Sequence, residues 1–260
     1  MKKVLFTLLI VGLVAGAASA DLRAWYKFDE TSGTAVADSS GNGFDATVNG
    51  TSVPEWDAGG AIGGCLQETS AAMTVDVPVG VFSTVTDAIT VSWWAQRTEA
   101  TAGGGFFCGY NAVGDEMLKA IPYKSGDDYY GVYRAGSTET KWWWGYGANS
   151  AVGEWDHFAL VYDETAGTKK LYFNGEVVHN PGIDAGDEIA DVSIFKLFVD
   201  RYDPDTGNVA GSWRCFSGKM DDFRVYDNAL SDSEITALIP EPTTIALLGL
   251  GTLGLIRRKK

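Results

Sequence analysis

The sequence predicts an all-β, two-sheet antiparallel jelly-roll sandwich, and three observations point to it. Short runs that alternate in polarity, or that carry β-branched and aromatic residues, recur through the middle of the chain. Nearly every gap between them holds Gly, Asp, Asn or Ser, the residues that turns demand. Asn174-Gly175 also stands between Leu171-Tyr172-Phe173 and Glu176-Val177-Val178, the strongest short hairpin signal a sequence offers. One short helix and a domain of about 220 residues complete the picture, enough for one β domain with a full core.

In chain order, strands are expected at 22–28, 89–97, 105–110, 129–134, 140–146, 157–162, 169–173, 194–199 and 219–226. On the 140–146 strand, Trp142, Trp144 and Tyr146 would share one face and Trp143 the other, because side chains alternate along a strand. The helix opens at Ser231, with Glu234 three residues on completing a capping box ahead of Ile235 and Leu238.

Both ends carry targeting patterns. Residues 1–20 place Lys2 and Lys3 before an apolar core, with Ala18-Ser19-Ala20 as a small-residue cleavage site; this is the order of a secretory signal peptide, and the mature chain is expected to begin at Asp21. The apolar run is short for a retained membrane anchor. At the other end, 240–260 consists of Pro240-Glu241-Pro242, an apolar stretch over 243–256 and Arg257-Arg258-Lys259-Lys260. Physically this is a short transmembrane helix with a positive cytoplasmic end, in which Gly249, Gly251 and Gly254 permit close helix approach. Its three parts also resemble the PEP-CTERM sorting signal. That resemblance implies a diderm host, a transient inner-membrane anchor, cleavage by an exosortase near Pro-Glu-Pro, and release to the cell surface or an extracellular matrix.

The domain between the ends, 21–239, is strongly acidic. The chain has 20 Lys+Arg and 34 Asp+Glu; the ends remove six basic residues and one acidic one, leaving 14 against 33 and a net charge of −19. Such a surface repels phosphate backbones and argues against nucleic acid as a partner, while suiting divalent cations or plain solubility. Export permits a disulfide, but three cysteines (Cys65, Cys108, Cys215) leave at least one thiol over, and their pairing is not readable. No Cys-x-x-Cys or Cys/His ligand spacing supports zinc or haem, and His157 and His179 are the only imidazoles.

Four ordered segments resemble the laminin-G-like, concanavalin-A-like lectin/glucanase superfamily, especially its pentraxin-related bacterial branch. They are Trp25-Tyr26-Lys27-Phe28-Asp29-Glu30-Thr31-Ser32-Gly33; Asp38-Ser39-Ser40-Gly41-Asn42-Gly43 with Ala46-Thr47-Val48; Trp155-Asp156-His157-Phe158-Ala159-Leu160-Val161-Tyr162 leading into Lys170-Leu171-Tyr172-Phe173-Asn174-Gly175; and Phe216-Ser217-Gly218-Lys219-Met220-Asp221-Asp222-Phe223-Arg224-Val225-Tyr226 with Ala229-Leu230-Ser231. The resemblance implies two sheets packed face to face, paired first and last strands, and a non-catalytic module that often carries one structural calcium and sometimes binds sugars. The chain departs from the pattern at Gly64-Cys65-Leu66-Gln67-Glu68, where an aromatic-Asp-Gly ending is usual, and shows no match between Glu99 and Trp142.

Calcium takes six to eight oxygens, which a tight loop of Asp, Asn and backbone carbonyls can supply. Carried over by motif, the resemblance points to Asp38, Asn42 and one of Asp221 or Asp222, since neighbours on a strand face opposite ways. Asp38 and Asn42 equally suit a role in capping their own turn. All nine tryptophans fall in the domain. Trp142, Trp144 and Tyr146, extended by Tyr130 with Tyr129 and Tyr133 on a neighbouring strand, form a candidate sugar-stacking platform; large aromatics that simply fill a wide core are the plainer reading. Trp25, Trp155 and one of Trp93 or Trp94 read as core.

Catalysis finds little footing. Glycosidases of this fold use a Glu-x-Asp-x-(x)-Glu array, and Glu154-Trp155-Asp156 lacks the second glutamate. No Gly-x-Ser-x-Gly elbow or phosphate loop is present. The expectation is a non-enzymatic surface or matrix module recognising extracellular polysaccharide. The alternatives are a structural matrix protein without a specific ligand and an extracellular glycan hydrolase.

Overall fold

The computed structural model describes residues 22–50, 53–68, 73–99, 104–114, 116–125, 128–135, 151–180, 182–183, 189, 191–199 and 215–240, with backbone alone over 122–125 and 128–135. The expected strand at 140–146 lies outside the described residues, as do both targeting segments through Asp21 and from Glu241 onward.

The strands are β1 (Leu22–Tyr26), β2 (Ala35–Val36), β3 (Ala46–Gly50), β4 (Glu55–Asp57), β5 (Cys65–Glu68), β6 (Met73–Val77), β7 (Ala88–Arg97), β8 (Phe107–Tyr110), β9 (Glu116–Ser125), β10 (Asp128–Ala135), β11 (Trp155–Asp163), β12 (Thr168–Phe173), β13 (Glu176–His179), β14 (Ile194–Leu197) and β15 (Gly218–Tyr226). A 3₁₀ turn (Val79–Phe82) precedes β7, and one helix, α1 (Asp232–Ala237), follows β15. One sheet runs β13-β12-β11-β7-β15-β5-β4, with β1 also on β15; the other runs β10-β9-β8-β14-β6-β3-β2. The first and last strands pair antiparallel, Tyr26 opposite Phe223. This is the sandwich that the strand pattern predicts.

Between the sheets lies an aromatic core. Trp93 is 1% exposed and packs against Phe106, Phe107 and Phe158 with ring centroids 5.2, 5.1 and 5.5 Å away. Strand alternation supplies the rest: Phe158, Leu160 and Tyr162 of β11 face this core, as do Phe223 and Val225 of β15. The intervening residues of β11 do not face water. Ala159 and Val161 join Tyr172, Tyr226 and Leu230 in a second apolar cluster closed by Ile235 of α1. The sequence-predicted capping box is present, with Ser231 and Glu234 each accepting from the other's backbone. Trp25 and Trp155, expected in the core, are instead half-buried.

The Asn174-Gly175 hairpin forms as predicted, both residues at positive φ (48° and 85°). Asn174 further clamps β11: its Oδ1 accepts from the His157 backbone N–H at 2.8 Å and its Nδ2 donates to Asp156 at 3.0 Å.

Candidate functional site

The Asp38 loop is organised by its own backbone. Asp38 accepts from the N–H groups of Trp25, Ser40 and Phe44 at 3.0, 2.9 and 3.0 Å and from the Ser40 hydroxyl at 2.8 Å. Burial alone would raise this carboxyl; the donors from Phe44, Ser40 and Trp25 outweigh it and hold it below the ordinary carboxylate range. Asn42 turns its amide nitrogen inward, donating to the carbonyls of Leu22 and Arg23 at 2.8 and 3.0 Å. These two residues therefore bind the loop to β1, and the structure shows no contact between them and Asp221.

Asp221 and Asp222 part company where the pairing of β15 with β7 shifts register. Asp222, at φ 50°, accepts from Trp25 Nε1 at 2.5 Å and pairs with Arg224 at 2.8 Å. Asp221 is 0% exposed. One of its oxygens accepts from the Ile62 N–H at 2.7 Å, and Oδ1 has no hydrogen-bond partner. Burial, then the nearby Asp222 and Asp29 charges, pushes this carboxyl up to about 7. Asp29 accepts from the Gly64 N–H at 2.7 Å, which places it on the same turn as Asp221. The sequence reading passed over Asp29; the glycine-rich run 59–64 was the signal that could have exposed it.

A second feature was also missed. Between edge strand β4 and the 31–33 turn lies a cleft of about 580 Å³ lined by Trp56, Glu55, Asp57, Gln67, Thr31 and Pro54. Trp56 is half-buried, its Nε1 donating to the Gly33 carbonyl at 3.1 Å. Asp57 pairs with Lys219 at 2.6 Å, and that bond, helped by the Gly59 N–H, holds its carboxyl below the ordinary value. The short β4 segment gave no periodic signal, and Trp56 appeared only as one more aromatic.

Of the expected platform, Tyr130 lies on β10 opposite Tyr123 of β9, while Trp142, Trp144 and Tyr146 lie outside the described residues. Asp156, half of the weak carboxylate array, is buried beneath Asn174. His157 is buried against Ser92 at 3.0 Å; burial, with some help from Arg224, drops its imidazole to about 3. Cys65 is a buried thiol that burial raises to about 12. Among the described residues no helix is long and apolar enough to cross a membrane, and no three His, Cys, Asp or Glu side chains group as a metal site.

Comparison with known proteins agrees with this geometry. Domain 4 of AbnA, an extracellular arabinanase from Geobacillus stearothermophilus solved with arabinotriose, superposes with a TM-score of 0.64 at 22% identity, covering 85% of this chain and 98% of that one. The receptor-binding domain of a botulinum neurotoxin C/D mosaic gives 0.62 at 13% identity, covering 85% of this chain and 51% of the toxin domain. Trypanosoma rangeli sialidase, solved with 2,3-difluorosialic acid, gives 0.57 at 16% identity over 85% of this chain and 33% of the enzyme. At these identities the likeness is one of fold. No curated protein matches the chain. A PEP-CTERM protein-sorting motif matches 238–260, marking the chain as exported, processed at its C-terminus and anchored at the cell surface. Residues 67–236 match a laminin-G-type family model, and the chain belongs to the concanavalin A-like lectin/glucanases superfamily.

Proposed function

We propose that the exported domain is a non-catalytic binding module that holds extracellular polysaccharide at the cell surface or in a surrounding matrix, after exosortase processing of its tail. The observation that carries this reading is the cleft beside β4. Trp56 offers it an apolar ring, while Glu55, Asp57 and Gln67 offer groups that bond sugar hydroxyls. The tryptophan-rich run Trp142-Trp143-Trp144 is a second aromatic candidate in the sequence, and the arabinanase domain of the same fold was solved with an oligosaccharide.

Binding is favoured over hydrolysis by the state of Asp57. A general acid needs a raised pKa, whereas Lys219 holds Asp57 down. The test is binding of the processed protein to a panel of extracellular polysaccharides, with Trp56→Ala and Trp142→Ala/Trp144→Ala beside it. Saturable binding lost in either variant supports the module and says which surface is used. Silence across the panel sinks the binding reading in favour of a structural matrix role, and release of new reducing ends sinks the non-catalytic one.

A further inference from the structure

The chain leaves the domain at a fixed place. After β15, α1 lies across the outer face of the β11–β12 pair. Ile235 is buried in one cluster with Ala159, Val161 and Tyr172, and Asp232 accepts from Lys170 Nζ at 2.8 Å and from the Tyr172 hydroxyl at 2.6 Å. The residues that follow bring Ile239 onto the β12–β13 hairpin, where a Cβ on Gly175 would lie 3.1 Å from Ile239 Cδ1. Ile239 is half-buried there, and exposed Pro240 comes next. The exit point therefore sits beside Asn174-Gly175.

The apolar stretch of the sorting motif begins at Thr243, four residue steps beyond Ile239. Fully extended, those steps reach about 14 Å. With the stretch seated in a bilayer, the headgroup layer takes up roughly 5–7 Å of that length. A domain of this size has a radius of gyration of about 17 Å, so its far surfaces stay away from the lipid while the surface around Gly175 is held at it. Neighbours in register build that surface. Asn174 N–H donates to the His157 carbonyl at 2.8 Å, which sets the start of β11 beside the hairpin. By strand alternation Trp155 shares the outer face with Ala159 and Val161, and Val177, opposite Tyr172, shares it too. Val152 and Val177 are exposed and Trp155 is half-buried. Small apolar tips with an indole suit the boundary between headgroups and acyl chains. Exposed Glu154 and Glu176 offer no attraction to lipid phosphates, so the contact depends on the short tether.

We infer that, while the tail is anchored, the end of the sandwich formed by the 151–155 turn and the 174–177 hairpin rests on the lipid headgroups, with Val152, Trp155 and Val177 against them. Cutting the tail releases this face to solvent. The inference uses the sorting motif and the exit point of the chain, and it stands whether or not the domain binds polysaccharide.

The test uses the full chain in phosphatidylcholine vesicles whose headgroups carry a nitroxide quencher. Cys65, Cys108 and Cys215 are buried, so a thiol-reactive fluorophore goes to one introduced cysteine at a time: Val152→Cys, Val177→Cys or Val113→Cys. Val113 is the distal control. It lines a cleft with Thr86, just ahead of β7, whose first residue Ala88 pairs with Asp163; Trp155 pairs with Gln96 at the other end of that strand. Labels at 152 and 177 are expected to be quenched about threefold more than at 113, because contact places them within roughly 5–10 Å of the headgroup boundary. An insertion of about twelve Gly/Ser residues between Ile239 and Pro240 adds roughly 20 Å of reach and should bring all three sites to one low value. Equal quenching at the three sites without the insertion, or a preference for 152 and 177 that survives it, would overturn the proposal.

Discussion

Trp25 on the first strand donates its indole N–H to Asp222 on the last, and Arg224 secures the same carboxylate from 2.8 Å. Arg224 and Lys27 also lie over the Trp25 ring, 4.5 and 4.3 Å from its centroid. Trp25 is therefore the hub of a polar lock on the outside of the β1–β15 pair rather than a core residue. Trp25→Phe keeps the ring and removes the donor, and is expected to cost roughly 1.5–3 kcal/mol, the scale of a hydrogen bond to a charged group. Combined with Asp222→Asn, the two losses should fall short of additive, since both variants break one contact. Urea unfolding of the two single variants and the double variant measures this, and strict additivity would mean the contact is incidental.

Helix α1 closes the second apolar cluster with few residues, so its anchor carries much of the load. Ile235→Ala should destabilise by about 2–4 kcal/mol, as for other buried aliphatic truncations, and Ser231→Ala by roughly 0.5–2 kcal/mol through loss of the cap. Hydrogen exchange should show α1 and the outer face of β12 losing protection together. Protection lost in α1 alone would mean that the helix is an appendage.

Two buried groups, His157 and Asp221, should pull stability in opposite directions between pH 7 and 4. Unfolded His157 takes a proton near 6.5, whereas in the fold burial keeps it neutral down to about 3. At this group the unfolded chain binds more protons between those values, so its contribution is full above about pH 6.5 and is lost as pH falls toward 3; Asp221, raised to about 7, acts the opposite way, contributing stability at low pH that is lost as pH rises through 7. His179, lowered by burial and by Lys169, acts in the same direction as His157. Asp38, held below its ordinary value, adds a loss only at lower pH. His157→Phe should tilt the upper part of the profile toward greater stability at lower pH than the wild type shows, read as urea midpoint against pH. An unchanged slope between pH 6.5 and 4.5 would contradict the buried neutral imidazole.

Gly60→Ala places a methyl 2.1 Å from the Gly64 carbonyl oxygen, backbone that cannot swing aside. A cost of about 1–3 kcal/mol is expected, in line with other overpacked sites. Gly153→Ala, whose Cβ would meet nothing within 4 Å although its φ is 86°, serves as the control that isolates dihedral strain from crowding. Gly60 has no positive φ, so an absent loss in Gly60→Ala would mean that the turn at 60–64 is not tightly packed.

Of the long strands, β7, β11 and β15 were legible because each has a buried face and enough length to show its period; β9, equally long, was not expected, its run being interrupted by Pro122. The 89–97 and 219–226 stretches appear as β7 and β15 within a residue or so, and the Asn174-Gly175 turn and the Ser231 cap carry their own local chemistry. Strands β2 to β6 escaped notice. They are two to five residues long, and Ala35-Val36 or Glu55-Trp56-Asp57 are too short to display alternation. The role of Asp29 was hidden for a different reason. A carboxylate gathered by a turn more than thirty residues away leaves no spacing to read, whereas Asp38 carries local turn chemistry that shows in the sequence.

β15 is an interior strand, bordered by β7 on one side and by β1 and β5 on the other, and α1 with Ile239 and Pro240 follows it within a few residues. The sorting motif begins at 238, so the attachment point of the mature protein sits at this end of the domain. Tension on that attachment thus enters the centre of the sheet by way of α1, not a margin. Peeling away an outer strand breaks bonds one after another, but drawing out β15 must shear two flanking ladders at once. The tether therefore loads an interior strand instead of an edge one.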